Sequence, residues 1–161
     1  MSSNLKLKLL YLILLFSIFA LFVAYFIQYI LGHQPCNLCL IERIPYILAI
    51  IIISLCFFFQ TLEKVSLIIL SLIFFLATLV SFYHFGIEQG FIKESLVCDL
   101  GVDDNILTKE ALLNQLKERV ISCKDVTFKV LGLSLTTINI VISLLFSFIT
   151  IKLFLNYEKN K

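Results

Sequence analysis

Long uninterrupted runs of apolar residues, set apart by short polar breaks, dominate the pattern of this chain. The first run extends from Leu9 to Leu31 without a charge, and others cover Leu40–Phe59, Val65–Tyr83 and Val130–Ile151. At about 1.5 Å rise per residue the first reaches about 34 Å as a helix, enough for a hydrocarbon layer of about 30 Å. A segment crossing lipid must satisfy its own backbone hydrogen bonds, so each run is predicted to be a helix. The second starts beside Glu42 and Arg43, and the fourth ends at Lys152, placed to reach back to the headgroups. The first run is too long for a signal peptide and lacks a small-residue cleavage pattern, so it is expected to remain in the protein.

The polar breaks are unequal. Residues 32–39 make a short loop, Gln60 to Lys64 a tight antiparallel turn, and 84–129 a long connection. The expected fold is an all-α membrane protein, a four-helix transmembrane bundle forming one domain over 1–161. Composition agrees: 60% hydrophobic and only 15% charged residues, against about 25% charged in soluble domains, with a mean hydropathy of +1.02. Four crossings put loops 32–39 and 84–129 on one face and both termini, with the 60–64 turn, on the other. Basic residues divide almost evenly between the faces. Next to the first helix, however, Lys6 and Lys8 stand against Arg43 alone, which favours a cytoplasmic N-terminus.

Cysteines change the picture. Cys36, Cys39, Cys98 and Cys123 all fall in the two loops that share a face, and stable disulfides belong outside the cytosol. That face is expected to be the outside, a periplasm if the cell is Gram-negative. Cys36-Asn37-Leu38-Cys39 is a C-x-x-C motif that could be a redox pair, half a zinc site or a passive bridge. Cys39 is expected at a helix N-terminus, where the dipole favours a thiolate, with Arg43 one turn on. Arg43 could stabilise that thiolate or a reduced oxygen on a bound ring compound, or simply anchor the helix at the interface. Pro45 marks either the first turn or a kink. Cys98 and Cys123 could staple a long loop, a contribution of around 3 kcal/mol, and four thiolates together could hold zinc. Cys56, amid Ile, Leu and Phe, reads as an inert apolar residue. Between the loop cysteines, Thr108–Val120 is predicted to be an amphipathic helix lying on the headgroups, with Glu94–Asp104, which carries Cys98, mobile beside it.

These residues resemble a known family. CNLCLIERIPY is similar to the C-x-L-C-x-x-x-R-x-P signature of DsbB-type disulfide bond formation proteins, and FYHFGIEQG to the family's Y-H-x-G-x-E segment. The resemblance implies exchangeable disulfides Cys36–Cys39 and Cys98–Cys123. Cys98 would be attacked by a soluble DsbA-like thioredoxin-fold thiol oxidase, and Cys123 would resolve that adduct. Cys36 would exchange with the outer pair through a transient Cys36–Cys123 bridge, and Cys39 would pass electrons to a membrane quinone, ubiquinone or menaquinone, beside Arg43. His84 corresponds to a family histidine near the quinone, with Glu88 close by; no metal is implied. A DsbA-like partner sits at about −120 mV and ordinary structural disulfides below about −300 mV, so an unaided dithiol relay would run uphill by about 8 kcal/mol. A stronger oxidant in the membrane removes that obstacle.

Three other readings remain. A reductant conduit would need a cysteine at the cytosolic face. A vitamin K epoxide reductase-like enzyme would carry its C-x-x-C late in the chain. A scaffold with purely structural disulfides would ignore a reduced thiol partner.

Overall fold

A computed structural model describes residues 3–59, 63–93, 123–124, 129–130 and 132–159. Helix α1 spans Ser3–Tyr29, α2 Asn37–Ile41, α3 Ile44–Phe58 and α4 Glu63–Glu88. A two-stranded antiparallel hairpin, β1 (Lys129–Val130) with β2 (Leu133–Ser134), leads into α5, Leu135–Lys159. Taking α2 and α3 as one interrupted span, four segments are long and apolar enough to cross a membrane: Lys6–Tyr29, Asn37–Phe58, Glu63–Glu88 and Leu135–Asn156. The chain is an all-α, four-helix membrane bundle. Phe22, Phe82 and Phe148, each more than 60% exposed, point outward as lipid-facing side chains do.

Several boundaries differ from the hydropathy reading. The second span begins at Asn37, not Leu40, because Cys36 caps it. It then breaks at Glu42–Arg43, where Pro45 lacks the N–H that would continue the ladder; α3 restarts with that proline in its first turn. Pro45 is thus both first-turn residue and cause of the break. The third span runs on past Tyr83 to Glu88. It ends where Gly90, at φ +78°, takes the left-handed position, and the N–H groups of Phe91 and Gly90 return to the carbonyls of Gly86 and Ile87. At Gly86 a Cβ would meet Ile92 Cδ1 at 2.6 Å, so any larger residue would have to push the Ile92 side chain aside. The fourth span starts at Leu135, not Val130, because Val130, Leu133 and Ser134 belong to the hairpin. The predicted helix 108–120, the 94–104 stretch and Cys98 lie outside the described residues.

α4 and α5 share the most extensive interface. The buried residues of α4, Leu67, Leu70, Phe74, Ala77, Ser81 and His84, recur every three or four positions along one face. α5 answers with buried Thr136, Ser143, Ser147 and Thr150, small residues that let helices approach closely in lipid. Mid-bundle, Phe74 and Phe16 both set their rings edge-on to Phe146, at 5.2 and 5.3 Å. An ion pair between Lys6 and Glu63 joins the start of α1 to the start of α4, and Lys64 lies over the Phe154 ring of α5. Those contacts define one end of the bundle. The opposite end carries Cys36, Glu42 and His84.

Candidate functional site

The site grows from the start of the second span. Cys36 is the N-cap of α2, its backbone extended (φ −72°, ψ 167°) and its sulfur accepting the Cys39 N–H at 3.3 Å. That turn brings the sulfurs of Cys36 and Cys39 to 2.7 Å. From α4, His84 Nε2 lies 3.5 Å from Cys36 Sγ. The Cys39 thiol, His84 and the Cys39 N–H hold the Cys36 thiol down to about 4 from its ordinary 9, against burial, which raises it. The expectation put the thiolate on Cys39, the residue inside the first turn. The helix N-terminus does favour the anion, but it is the capping sulfur that receives the N–H, and the helix stops before Arg43.

Behind His84 stands a buried polar network. Its Nδ1 bonds Glu42 Oε1 at 2.9 Å, with Thr136 Oγ1 at 3.4 Å. The other oxygen of Glu42 accepts from Asn139 Nδ2 at 3.2 Å, and the same amide group donates to Ser81 Oγ at 2.8 Å. Tyr46 donates its hydroxyl to Asn139 Oδ1. Glu42 thereby fixes the proton on His84 Nδ1 and turns Nε2 toward the cysteines. A carboxylate sealed between helices persists only when its lone pairs are satisfied in this way.

Arg43 lies on the other side of the break. Its Nη1 donates to Gln28 Oε1 of α1 at 2.6 Å, and its guanidinium sits 5.1 Å from the centroid of the Tyr25 ring. These contacts hold it at the mouth of a cavity of about 360 Å³. Phe16, Phe19, Ala20 and Val23 of α1 form an apolar wall; Cys36, Cys39, Arg43, His84, Glu88 and Cys123 form the polar end.

Of the residues singled out in the sequence, Cys36, Cys39, Arg43, His84, Glu88 and Cys123 therefore share one cavity. Cys123 is buried in a cluster with Cys36, Leu38 and Ile87. It is disulfide-bonded, whereas Cys36, Cys39 and Cys56 are free. The two sulfurs of the Cys36/Cys39 pair, expected to form a bridge, lie side by side at 2.7 Å. Cys56 is buried near the far end of α3, about 25 Å along the helix from Cys39 by helical rise. The sequence reading passed over Glu42, Asn139 and Gln28 as site residues. Their signal was present, since a polar side chain within an apolar span marks a functional site by default.

Residues 6–153 match the family described as disulfide bond formation protein DsbB. The chain belongs to that family. It is accordingly a multi-pass membrane protein of disulfide bond formation, a disulfide oxidoreductase. An uncharacterized protein of Rickettsia prowazekii (strain Madrid E) is 29% identical over 130 residues, 80% of this chain and 76% of that protein. No solved structure matches. Within this DsbB-family chain the cavity, the C-x-x-C pair and Cys123 lie together at one end.

Proposed function

We propose that the protein is a quinone-linked thiol oxidase. It takes two electrons at a time from a reduced DsbA-like thioredoxin-fold partner in the periplasm and delivers them to a membrane quinone. The partner's thiolate attacks Cys98 of a Cys98–Cys123 disulfide and releases the Cys123 thiolate; the partner's second thiol then completes its own disulfide and releases Cys98. Cys123 next attacks Cys36 of a Cys36–Cys39 disulfide through a transient Cys36–Cys123 bridge, which frees Cys39. Cys98 resolves that bridge, leaving Cys36 and Cys39 as the dithiol. When bound, a quinone (ubiquinone or menaquinone) accepts the two electrons and two protons of that dithiol, and the Cys36–Cys39 disulfide forms again.

The observation that carries this reading is the shared cavity. A quinone head is a flat ring, mostly apolar, with two carbonyl oxygens. An apolar α1 wall ending against Cys39, Arg43 and His84 suits both parts. Arg43, held by Gln28 and Tyr25, supplies a fixed positive charge for a reduced oxygen. Burial of Cys123 against Cys36 supports the exchange step. In orientation, the cysteine end faces the periplasm and the Lys6–Glu63 end the cytoplasm of a bacterial inner membrane. Glu88 lines the same cavity and contacts the quinone side of the site.

The test is quinol formation by purified protein fed with a reduced thioredoxin-fold oxidase. Cys39→Ser is expected to abolish it, and wild-type turnover in that variant would sink the mechanism. A partner variant lacking its second thiol is expected to be trapped on Cys98 as a mixed disulfide, identified by mass and absent when Cys98→Ser is tested. A protein whose disulfides merely staple its loop would form no such adduct.

A further inference from the structure

We propose that the reduced protein binds a thiophilic divalent cation of the zinc type through Cys36 Sγ, Cys39 Sγ and His84 Nε2, leaving a fourth position open to the cavity. This donor set differs from the four thiolates considered for the sequence: it uses one cysteine pair and a histidine from another helix.

The three donor atoms lie within 4.8 Å of one another. Tetrahedral zinc, with Zn–S of about 2.3 Å and Zn–N of about 2.05 Å, sets sulfur and nitrogen about 3.5 Å apart and two sulfurs about 3.8 Å apart. His84 Nε2 already stands 3.5 Å from Cys36 Sγ. The sulfurs, at 2.7 Å, need to part by about 1 Å, within reach of a torsional adjustment of the half-buried Cys39 side chain.

The surroundings of His84 are those of a metal ligand. Glu42 Oε1, 2.9 Å from Nδ1, keeps a proton on that nitrogen and turns Nε2 toward the sulfurs, where a cation can take the place of the Nε2 proton. A carboxylate behind a ligating imidazole is the usual outer support of such sites. Asn139 anchors the second oxygen of the carboxylate, so the support is itself fixed. Both Cys36 and His84 are more than nine-tenths buried. Two thiolates crowded together at such a site repel each other in a low dielectric, and a dication between them removes that repulsion.

Binding is gated by oxidation state. A Cys36–Cys39 disulfide offers no thiolate, so the cation selects the dithiol. Loading it releases the remaining thiol proton and the His84 Nε2 proton to solvent and moves no electrons. Once loaded, neither sulfur is available for exchange, and the metal acts as a brake that holds the inner pair reduced. That brake rests on the relay proposed above; the binding itself does not.

The experiment uses full-length protein in detergent micelles, reduced with a phosphine, freed of it without air and titrated with Co2+. One cobalt per chain is expected, with thiolate-to-cobalt charge-transfer absorption and tetrahedral ligand-field bands that Zn2+ abolishes and prior oxidation prevents. The Cys98→Ser/Cys123→Ser double variant is expected to keep the signal, and Glu42→Gln to weaken cobalt binding about tenfold. A reduced wild-type protein without charge-transfer absorption overturns the proposal, as does a signal that vanishes in the double variant. Because the readout involves no quinone, a failed relay leaves the cobalt result standing, and a failed cobalt titration leaves the relay standing.

Discussion

From the Lys6–Glu63 end to mid-bundle, helices meet through interleaved side chains: Phe74 and Phe16 edge-on to Phe146, with Leu67 and Leu70 fully buried beneath them. At the cysteine end they meet through hydrogen bonds, His84 to Glu42, Glu42 to Asn139, Asn139 to Ser81 and Tyr46. Packing degrades gradually, since a lost methylene leaves a small void. A buried polar network does not, because each lost partner strands a donor or acceptor with no water to replace it. The packed half therefore carries stability, and the polar half carries chemistry at the expense of tolerance.

The sharpest way to break this contrast is Glu42→Ala, which strands both His84 Nδ1 and Asn139 Nδ2. It is expected to destabilise the bundle by about 3 kcal/mol in a mixed-micelle unfolding titration and to slow quinol formation by at least about tenfold. Losing neither would mean that the network is not a unit. Phe74→Ala should cost a similar amount, about 3 kcal/mol, yet leave the rate per folded molecule unchanged; a slowed rate would show that packing and chemistry are coupled. Arg43→Ala is expected to raise the apparent KM for quinone about tenfold with kcat little changed. An unaltered KM would assign Arg43 to its contacts with Gln28 and Tyr25 instead.

Acidity gives a subtler contrast. An ordinary thiol loses reactivity about tenfold per pH unit below about 8.5 as its thiolate is protonated. Cys36, held down to about 4, stays ionised, so alkylation of the reduced protein at Cys36 should be nearly flat from pH 8 to 5 and fall only as pH approaches 4. His84→Ala should move that fall upward, since His84 is one cause of the depression. A tenfold drop between pH 8 and 7 in the wild type would contradict the assignment. Smallest of all, Lys6→Ala should cost under about 1 kcal/mol, because a partly exposed ion pair contributes little.

Hydropathy made the four spans and their order legible, because lipid-facing helices need apolar side chains on most of their surface. It could not show where the second span breaks. That break depends on the missing N–H of Pro45, and the residues around it are apolar on both sides. Nor could it extend the third span to Glu88: His84 and Glu88 read as loop residues until α4 is seen to carry both to the cavity, with His84 buried beside Cys36. The C-x-x-C spacing pointed to the chemistry, and the cysteine cluster followed from loops sharing one face. Which sulfur receives the helix N–H did not follow, since the N-cap is decided by which residue precedes the first turn. Glu42 and Asn139 are 97 positions apart, and no local pattern joins them.

The central claim is that the Cys36–Cys39 dithiol is the immediate electron donor to the cavity. A single-turnover reaction of reduced Cys98→Ser/Cys123→Ser protein with excess soluble quinone, followed by quinol absorbance and thiol count, tests it directly. The account predicts one quinol and one Cys36–Cys39 disulfide per chain. No quinol from that variant, or undiminished quinol when Cys39→Ser is added, would contradict it.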